Sequence, residues 1–578
     1  MFRYHSLFSR TILVSATVSM VLAGVTTSAS AQRSSQSPTA TVAHTWLHAI
    51  SISGTVNHNG YVTSISCPSA GNCAAAGDFR SPLGIFAPFI ANQINGTWSA
   101  AVEVPGVSGF NAVAGSASSI SCASTGNCTV AGTYVDTQGH DQVFVSTESN
   151  GVLSVSTQIP GLAVLNADGI SAVEKLTCTS PGNCTLGGYY KDGSAQFQTF
   201  VSSQVHGTWT TAIALPGLVA LNVDGHSYVE SLSCATVGNC VIGGYYRDGS
   251  NNKQAYVATQ TNGTWSNAIE VPGTNALNTG NSARVNSIAC PAVAKCVLVG
   301  FYIDSLSRVQ AFVDNEVNGA WAVAIEAPGI AALNPGGDAS LQSIACPTIG
   351  NCSAGGYITD ATSHSQAMVV KVTNGTWSNA QVLPGSVALD VNGAAAVSAL
   401  ACSVAGNCSA TGLYLDGASQ NQIFVANEIN GVWKSAIELP GFSTIHTGGN
   451  TDVNDLSCAP DGGCSIGGYY FDGSARLQGF VASEVIGTNS SIPLAVHAFG
   501  ANKIALVQWT APTHTNGSPI FLYSVHSTSG AHTCTSVLLY CVVSGLSNSM
   551  SYRFTVTATN LSGNSARSAP SISVRPHA

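Results

Sequence analysis

Two glutamates at matching positions of a repeated pattern are the residues of this sequence best suited to acid–base chemistry. Glu174 and Glu230 each stand four residues before a cysteine, and 56 residues separate them. Two nearby carboxyl groups, one protonated and one ionised, are what hydrolysis of a glycosidic bond requires. The same pair could instead bind a cation or lie solvated in a wet channel. Glu174 and Glu230 are therefore catalytic candidates, with both alternatives open.

The equivalent position of every other repeat is also polar, but its residue type varies. If the strand that carries it is the innermost of its sheet, this position surrounds a central channel or its mouth. The fold does not dictate which polar residue is used there, so these side chains are free to contact a ligand. Besides the two glutamates, the predicted ligand rim consists of Thr63, Ser118, Asn286, Gln342, Ser398 and Asn454.

Other patterns that could carry chemistry are weak. Each repeat from the second onward has an aspartate eight residues after its second cysteine, which is ordinary chemistry for a turn. The loops 166–169 and 222–225 resemble calcium loops but lack the terminal glutamate. The motifs H-E-x-x-H, G-x-S-x-G and the phosphate loop do not occur. We expect no cofactor and no metal site, with calcium at these loops as the open alternative.

The 18 cysteines form pairs, eight of them with the spacing C-x5-C. An even number of cysteines in an exported protein indicates disulfides, and C-x5-C is not a usual zinc spacing. We predict that each such pair joins the first two strands of its repeat, and that the last pair joins neighbouring strands of the tail. The predicted pairs are Cys67/Cys73, Cys122/Cys128, Cys178/Cys184, Cys234/Cys240, Cys290/Cys296, Cys346/Cys352, Cys402/Cys408, Cys458/Cys464 and Cys534/Cys541.

The elements that position these residues are short strands. First cysteines lie 55 residues apart once and 56 thereafter, and turn residues divide each unit into four antiparallel strands. Four-stranded units of this length are typical of propeller blades. The eighth unit lacks the final strand, but residues 44–50 match the final strand of the other units. The sequence predicts an all-β, eight-bladed β-propeller whose N-terminal strand closes the last blade.

The N-terminus reads as a secretory signal peptide. Arg3 and Arg10 precede an apolar run from Ile12 to Val25, and Ala29-Ser30-Ala31 forms a small-x-small cleavage site. The alternative is a membrane anchor, for which the run is short. We predict a signal peptide at 1–31, the propeller at 32–490 and a further domain at 491–578. A net charge of −9 without a Lys/Arg cluster disfavours nucleic acid as a partner, and we predict no membrane span.

The repeated Ser119-Ile120-Ser121-Cys122 motif resembles the repeats of secreted bacterial propeller proteins, over about residues 42–487. The N-G-T-W turns also resemble a degenerate Asp-box of sialidase-type propellers. They depart from it because the box aspartate is absent and Gly263 and Trp265 lie one residue too close. Sialidase chemistry also needs clustered arginines, which the repeats lack.

The tail resembles a fibronectin type III domain, a seven-stranded β-sandwich. Such domains in exported bacterial proteins resemble spacers or surface-binding modules, often joined to polysaccharide-degrading enzymes. The matching residues are Trp509, Ala511-Pro512, Gly517, Tyr523, Leu546, Tyr552-Arg553-Phe554, Ala558-Thr559-Asn560 and Gly563.

Together these observations favour a secreted, monomeric, non-enzymatic binding or scaffold protein. Its partner would be an extracellular polysaccharide or a cell-surface protein, recognised through the propeller rim. The alternative is a carbohydrate-active enzyme, either a glycoside hydrolase or a polysaccharide lyase, with its site in the channel.

Overall fold

The computed structural model describes residues 43–81, 84–110, 112–487, 490–513, 520–560 and 563–577. The predicted signal peptide and Gly517 lie outside these residues. Within them the chain is all-β, as predicted.

Eight sheets of the same design follow one another along the chain, and we number them 1 to 8. In each, the first strand pairs with the second and the second with the third, all antiparallel. The first strands are Tyr61–Ser69, Ala114–Ser124, Ser171–Ser180, Tyr228–Thr236, Ala283–Ala289, Ser340–Thr348, Ala396–Val404 and Thr451–Cys458. The second strands are Asn72–Arg80, Asn127–Val135, Asn183–Lys191, Asn239–Arg247, Val297–Ile303, Asn351–Thr359, Asn407–Leu415 and Cys464–Phe471. The third strands are Phe86–Ile94, Asp141–Ser149, Phe197–Val205, Lys253–Thr261, Val309–Val317, Ser365–Thr373, Asn421–Ile429 and Leu477–Gly487.

The outer strand of each sheet differs from the single strand that the sequence predicts. It is split into two segments of two residues in sheets 1 to 7, and both segments pair with the third strand. In sheet 4 the backbone N–H of Ala268, between the two segments, donates to the carbonyl of Pro216 at 2.7 Å. This bond to the preceding connection draws the chain away from its own sheet. The segments are Thr97–Trp98 with Val102–Glu103, Val152–Leu153 with Thr157–Gln158, Thr208–Trp209 with Ile213–Ala214, Thr264–Trp265 with Ile269–Glu270, Ala320–Trp321 with Ile325–Glu326, Thr376–Trp377 with Gln381–Val382, and Val432–Trp433 with Ile437–Glu438.

Short helical turns connect each outer strand to the next sheet, which the sequence did not predict. Each α-helical turn follows the glycine of a Pro-Gly pair, and Gly217, with a φ of 75°, adopts the left-handed conformation that glycine allows. These turns are Leu162–Leu165, Leu218–Leu221, Thr274–Leu277, Ile330–Leu333, Ser386–Leu389 and Phe442–Ile445, and a 3-10 turn at Ser108–Phe110 takes the same place after sheet 1.

The N-terminal segment supplies the outer strands of sheet 8. Ala43–Trp46 and Ile50–Ser51 both pair with the third strand of that sheet, and Trp46 lies opposite Glu484. His44 Nδ1 lies 2.8 Å from Glu484 Oε1. The indole N–H of Trp46 donates to Asn427 Oδ1 of sheet 7 at 3.0 Å. This pairing confirms the prediction made for the N-terminal segment.

The apolar core lies between neighbouring sheets. Val257 of sheet 4 belongs to the same buried cluster as Val285 of sheet 5, and Val481 of sheet 8 to the same cluster as Val62 of sheet 1. The first strand of every sheet also contacts that of the next, and the first strand of sheet 8 contacts that of sheet 1. Each sheet buries a face only by packing on a neighbour.

Serine hydroxyls connect the first strands of neighbouring sheets. Ser231 Oγ accepts the backbone N–H of Ile288 at 2.9 Å, and Ser233 Oγ accepts that of Cys290 at 3.0 Å. These serines are the two of the S-x-S-C motif. The N–H groups lie on the unpaired edge of a sheet, so they need acceptors from outside it. Equivalent bonds join Ser64 to Ile120, Ser66 to Cys122, Ser121 to Cys178, Ser287 to Ile344, Ser343 to Leu400, and Ser457 of sheet 8 to Cys67 of sheet 1.

A β-bulge lies at the same point of every first strand, four residues before the first cysteine. In sheet 4 the register shifts between Val229 and Ser231, which leaves Glu230 unpaired. Opposite the bulge stands Gly244, where an added Cβ would lie 2.1 Å from the carbonyl oxygen of Tyr228. Only glycine fits there. The equivalent glycines, each with a backbone carbonyl oxygen 1.8–2.1 Å from a Cβ position, are Gly77, Gly132, Gly188, Gly300, Gly356, Gly412 and Gly468.

The predicted cysteine pairs are confirmed. In each repeat the disulfide joins the ends of the first and second strands, where the Cα atoms lie 3.9–4.1 Å apart. Cys534 and Cys541 join strands of two different sheets in the tail.

The second cysteines of these repeats are buried as well as disulfide-bonded. Cys73, Cys128 and Cys296 are 6%, 4% and 3% exposed. Cys128 belongs to the same apolar cluster as Val130, and Cys296 to the same cluster as Val257. The second strand lies inside its sheet and neighbouring sheets cover both of its faces, so its cysteine is covered as well. Cys73, Cys128 and Cys296 are therefore core residues whose disulfides support the fold, as predicted.

The tail forms two sheets that pack on each other. The buried residues between them include Trp509, Tyr523, Val525 and Phe554. The strands of one sheet are Leu494–Ala501, Ile504–Thr510 and Tyr540–Ser544. Those of the other are Leu522–Ser527, Thr533–Ser536, Phe554–Asn560 and Gly563–Asn564.

Replacing a glycine opposite a bulge should destabilise the protein. In the variant Gly412→Ala the new Cβ would lie 1.8 Å from the carbonyl oxygen of Ala396, so the bulge must shift. We expect the free energy of unfolding to fall by about 2–3 kcal/mol, measured by urea denaturation without reductant. The control Gly417→Ala, whose Cβ meets nothing within 4 Å, should change it by less than about 0.5 kcal/mol. Equal midpoints for the two variants would contradict this account.

Candidate functional site

The eight bulged residues are those that the sequence singled out as catalytic candidates and ligand rim. The bulge frees their side chains from cross-strand pairing, so their identity can vary while the sheet stays the same. They lie near the start of the first strands, away from the disulfides at the other end.

Five of the eight bulged side chains bond to the next sheet. Glu174 Oε2 accepts the backbone N–H of Val229 at 2.6 Å, and Glu230 Oε1 lies 3.2 Å from Arg284 Nη1. The other three donate to backbone carbonyls: Thr63 to Ala117 at 2.7 Å, Asn286 to Leu341 at 2.7 Å, and Asn454 of sheet 8 to Val62 of sheet 1 at 2.5 Å.

The remaining three bulged residues occupy the same position of their first strands as the other five. Gln342 donates to Ser340 of its own strand at 3.1 Å, and Ser118 and Ser398 are partly exposed. The predicted rim was a set of groups free to meet a ligand. In the structure, five of the eight bulged side chains bond to the neighbouring sheet. The residue type at these five positions therefore also contributes to the contact between sheets.

Glu174 and Glu230 occupy adjacent sheets and differ in their surroundings. Burial raises the pKa of Glu174 to about 8; the Glu230 carboxylate adds to this rise, while the N–H of Val229 and the ammonium of Lys175 oppose it. At neutral pH Glu174 is therefore mainly protonated. Glu230 instead forms an ion pair with Arg284, and both of these side chains are about one-third exposed.

Three tyrosines accompany the two glutamates. The ring of Tyr228 lies 5.0 Å from that of Tyr189 in sheet 3 and 5.4 Å from that of Tyr245 in its own sheet. Burial and the charge of Glu174 raise the pKa of Tyr189 to about 12. All three rings are partly exposed. We call Glu174, Glu230, Tyr189, Tyr228 and Tyr245 the acid–aromatic cluster.

Cations border the acid–aromatic cluster, although charged residues are only 8% of the chain. Lys253 Nζ lies 4.7 Å from the ring centroid of Tyr245. Arg284 pairs with Glu230 and lies over the ring of Phe301, 5.1 Å from its centroid. Lys175 is exposed next to Glu174. The cluster thus combines ring faces, acceptors and cationic donors in a small region.

The sequence contained a signal for the aromatic part of this cluster. Tyr228 stands two residues before Glu230, at a position that holds alanine, serine, arginine, aspartate or tyrosine in the other repeats. Comparing this position among repeats would have marked sheets 1 and 4 as the two that carry an aromatic ring there. That Tyr189 of sheet 3 would meet Tyr228 of sheet 4 depends on the packing between sheets, which the sequence does not reveal.

The repeated aspartates form turns, as the sequence indicated. Asp248 Oδ1 accepts the N–H groups of Ser250 and Asn252, and Oδ2 accepts the amide of Gln254 at 3.0 Å. Burial alone would raise the pKa of Asp248, but these donors lower it.

Some oxygens of the loops that resemble calcium loops make internal contacts. Asp168 pairs with Lys191 at 2.7 Å, and Asn222 Oδ1 accepts the N–H of His226 at 2.8 Å. In the described part of the chain, no group of three or more His, Cys, Asp or Glu side chains is placed to hold a metal ion. Among the same residues, no helix is long and apolar enough to cross a membrane.

Residues 492–574 match the family model of the fibronectin type III domain. The tail is thus a fibronectin type III sandwich, as the resemblance predicted, and such a domain suggests a binding or scaffold role. No curated protein matches the chain at a significant level.

Several solved structures resemble parts of the chain. Titin kinase with its flanking domains is 26% identical over 15% of this chain and 17% of that chain, with a TM-score of 0.14. The subtype N11 neuraminidase-like protein of A/flat-faced bat/Peru is 11% identical over 54% of this chain and 86% of that one, with a TM-score of 0.30. A protein of unknown function from Dyadobacter fermentans is 9% identical over 76% and 98%, with a TM-score of 0.35. Similarity at this level says nothing about activity.

The buried acid predicts a pH dependence of stability. Between pH 4.5, the usual pKa of a glutamate, and about pH 8, the folded protein keeps the proton of Glu174 that the unfolded chain releases. Stability should therefore fall as the pH rises through this window, by at most about 1.4 kcal/mol per pH unit for one proton. Glu174→Gln cannot ionise and still accepts the N–H of Val229, so its stability should fall less.

The measurement is the melting temperature of both proteins at pH 5 and pH 8.5. Asp78 and Asp314, whose pKa values burial raises to about 7, contribute with the same sign and remain in the variant. The slope should therefore decrease without vanishing. The control Glu103→Gln, on an exposed outer strand, should retain the wild-type slope. Parallel profiles for Glu174→Gln and wild type would rule out a buried proton at this site.

Proposed function

We propose that the eight sheets are the blades of an eight-bladed β-propeller at residues 32–490, followed by the fibronectin type III domain at 491–578. Support comes from the contact of each first strand with the next, including sheet 8 with sheet 1, and from the N-terminal strands of sheet 8. Closure would bury both faces of every sheet and leave the first strands around a central channel.

We further propose that the protein is secreted after removal of residues 1–31. The apolar N-terminal run with its small-residue cleavage site supports this. Nine disulfides support it as well, because disulfides persist mainly in oxidising compartments.

In this setting we propose that the protein binds an extracellular glycan through the acid–aromatic cluster. The observation that carries this proposal is the set of partly exposed rings around Tyr228, beside Glu230 and Arg284, in two of eight otherwise similar sheets. Aromatic faces can cover the apolar face of a sugar ring, and charged groups beside them can bond to its hydroxyls. The fibronectin type III domain would act as a spacer or attachment module.

The test is binding of the secreted protein to an array of bacterial and plant polysaccharides. Wild type should bind at least one glycan, and Tyr228→Ala should bind that glycan about tenfold more weakly, since it loses the central ring of the cluster. The control Tyr540→Ala removes a tyrosine that is 48% exposed on the fibronectin type III domain, and it should bind like wild type. Absence of any glycan binding, or full binding by Tyr228→Ala, would refute this function.

A carbohydrate-active enzyme is the second candidate, and the unequal surroundings of the two glutamates favour it. A protonated Glu174 could act as a general acid beside the ion-paired carboxylate of Glu230. If so, wild type should release reducing sugar from the glycan it binds. Glu174→Gln and Glu230→Gln should each slow this release by about 100-fold or more. Binding without any release by wild type would reject the enzyme and leave the binding protein.

A further inference from the structure

A cavity opens between sheets 3 and 4. It lies at the end of the sheets that carries the disulfides, away from the acid–aromatic cluster. Its volume is about 330 Å³, at the lower end of the range of about 300–1,000 Å³ that is typical of ligand pockets. Thr185 and Ser203 of sheet 3 line one side, and Gln260 and Trp265 of sheet 4 line the other. Gln204 of sheet 3 also lines it. We call this cavity the 3/4 cleft.

Two buried amide groups in the 3/4 cleft have an acceptor that is not satisfied. Gln204 and Gln260 are 4% and 2% exposed. Their Nε2 atoms donate to the carbonyls of Gly207 and Gly263 at 3.2 and 3.3 Å, which fixes the orientation of both amides. Within the described part of the chain, neither Oε1 atom has a hydrogen-bond partner. A buried acceptor without a donor is unfavourable by about 1–3 kcal/mol.

The other inter-sheet cavities show what distinguishes the 3/4 cleft. Gln93 and Glu148 occupy the matching positions of sheets 1 and 2 and also leave an unpartnered oxygen. The cavities that they line measure only about 90 and 20 Å³. The 3/4 cleft therefore combines unsatisfied acceptors with space for a ligand.

A lysine lines the matching cavity between sheets 6 and 7, which measures about 270 Å³. Lys371 corresponds to Ser203, and its Nζ lies 2.8 Å from Glu428 Oε1 and also contacts the carbonyl of Gly431. Glu428 corresponds to Gln260. The protein thus contains its own example of a cation that satisfies acceptors at this place. Among the described residues, the lining of the 3/4 cleft contains no Asp, Glu, Lys or Arg.

An uncharged lining with acceptors in excess selects a neutral ligand that can donate hydrogen bonds. Hydroxyl groups on both sides, such as those of Ser203 in sheet 3 and Thr236 in sheet 4, can exchange bonds with the hydroxyls of such a ligand. We propose that the 3/4 cleft is a second binding site, which takes an uncharged sugar residue whose hydroxyls donate to Gln204 and Gln260. This site is separate from the acid–aromatic cluster and does not depend on it.

The test uses methyl glycosides of glucose, galactose and N-acetylglucosamine with the full secreted chain, followed by saturation-transfer NMR and calorimetry. Wild type should bind at least one glycoside with a dissociation constant of about 1–10 mM. Ser203→Lys copies Lys371 into the 3/4 cleft, where the ammonium would occupy the site. It should weaken binding at least about tenfold.

Two further variants keep the test decisive if Ser203→Lys folds poorly. Gln260→Val copies Val372, the residue that sheet 6 has at this position, and it removes one acceptor. It should weaken binding about three- to tenfold. Thr259→Lys is the matched control, because Thr259 and Glu316 correspond to Lys371 and Glu428 in the repeat, and Thr259 does not line the 3/4 cleft. It should bind like wild type.

The outcomes separate this proposal from the glycan site of sheets 3 and 4. Loss of binding in Ser203→Lys and Gln260→Val, with binding retained in Tyr228→Ala, supports the second site. Loss in Tyr228→Ala alone would assign the sugar to the acid–aromatic cluster and overturn the second site while sustaining the first. Failure of all three glycosides to bind wild type would also overturn it, whatever the polysaccharide array shows.

Discussion

Hydrogen bonds from backbone N–H groups to serine hydroxyls of the preceding sheet join six of the eight pairs of neighbouring sheets, and the arrangement of the repeats depends on them. A first strand has a sheet partner on only one side, so its other edge exposes donors that must be satisfied. A serine reaches across where a backbone carbonyl would not, because neighbouring sheets meet face to face rather than edge to edge. This explains the serines before the first cysteine: each of those that bonds completes its neighbour's strand rather than its own.

The bulge in each first strand allows one residue to vary without a change in the fold. Glycine opposite the bulge is needed for the fold, whereas the bulged residue is not dictated by its own sheet. The chain can therefore change one side chain per sheet without redesigning the repeat. In sheets 3 and 4 that freedom brings two carboxyl groups and three tyrosines together, and the ties between sheets hold them in place.

The period of the repeat, the cysteine pairs and the origin of the outer strands of sheet 8 could be predicted because each depends on spacing or on matching strings. The split of the outer strand could not, because it depends on Ala268 finding the carbonyl of Pro216, a contact between segments 52 residues apart. The glutamates were identifiable from their variation among repeats. The burial that protonates Glu174 and the unsatisfied amides of Gln204 and Gln260 arise only when two sheets face each other.

The pairing of residues 43–51 with the third strand of sheet 8 constrains the order of events during biosynthesis. His44 contacts Glu484, which lies 440 residues further along the chain. The first strand of this unit to leave the ribosome therefore pairs with one of the last strands to do so. Until then residues 43–51 have no sheet to pair with and the apolar layer next to sheet 1 is incomplete, and both attract other unfolded chains. Export of the chain in extended form would delay this risk of aggregation. The disulfides within the earlier sheets would then stabilise those sheets before sheet 8 folds.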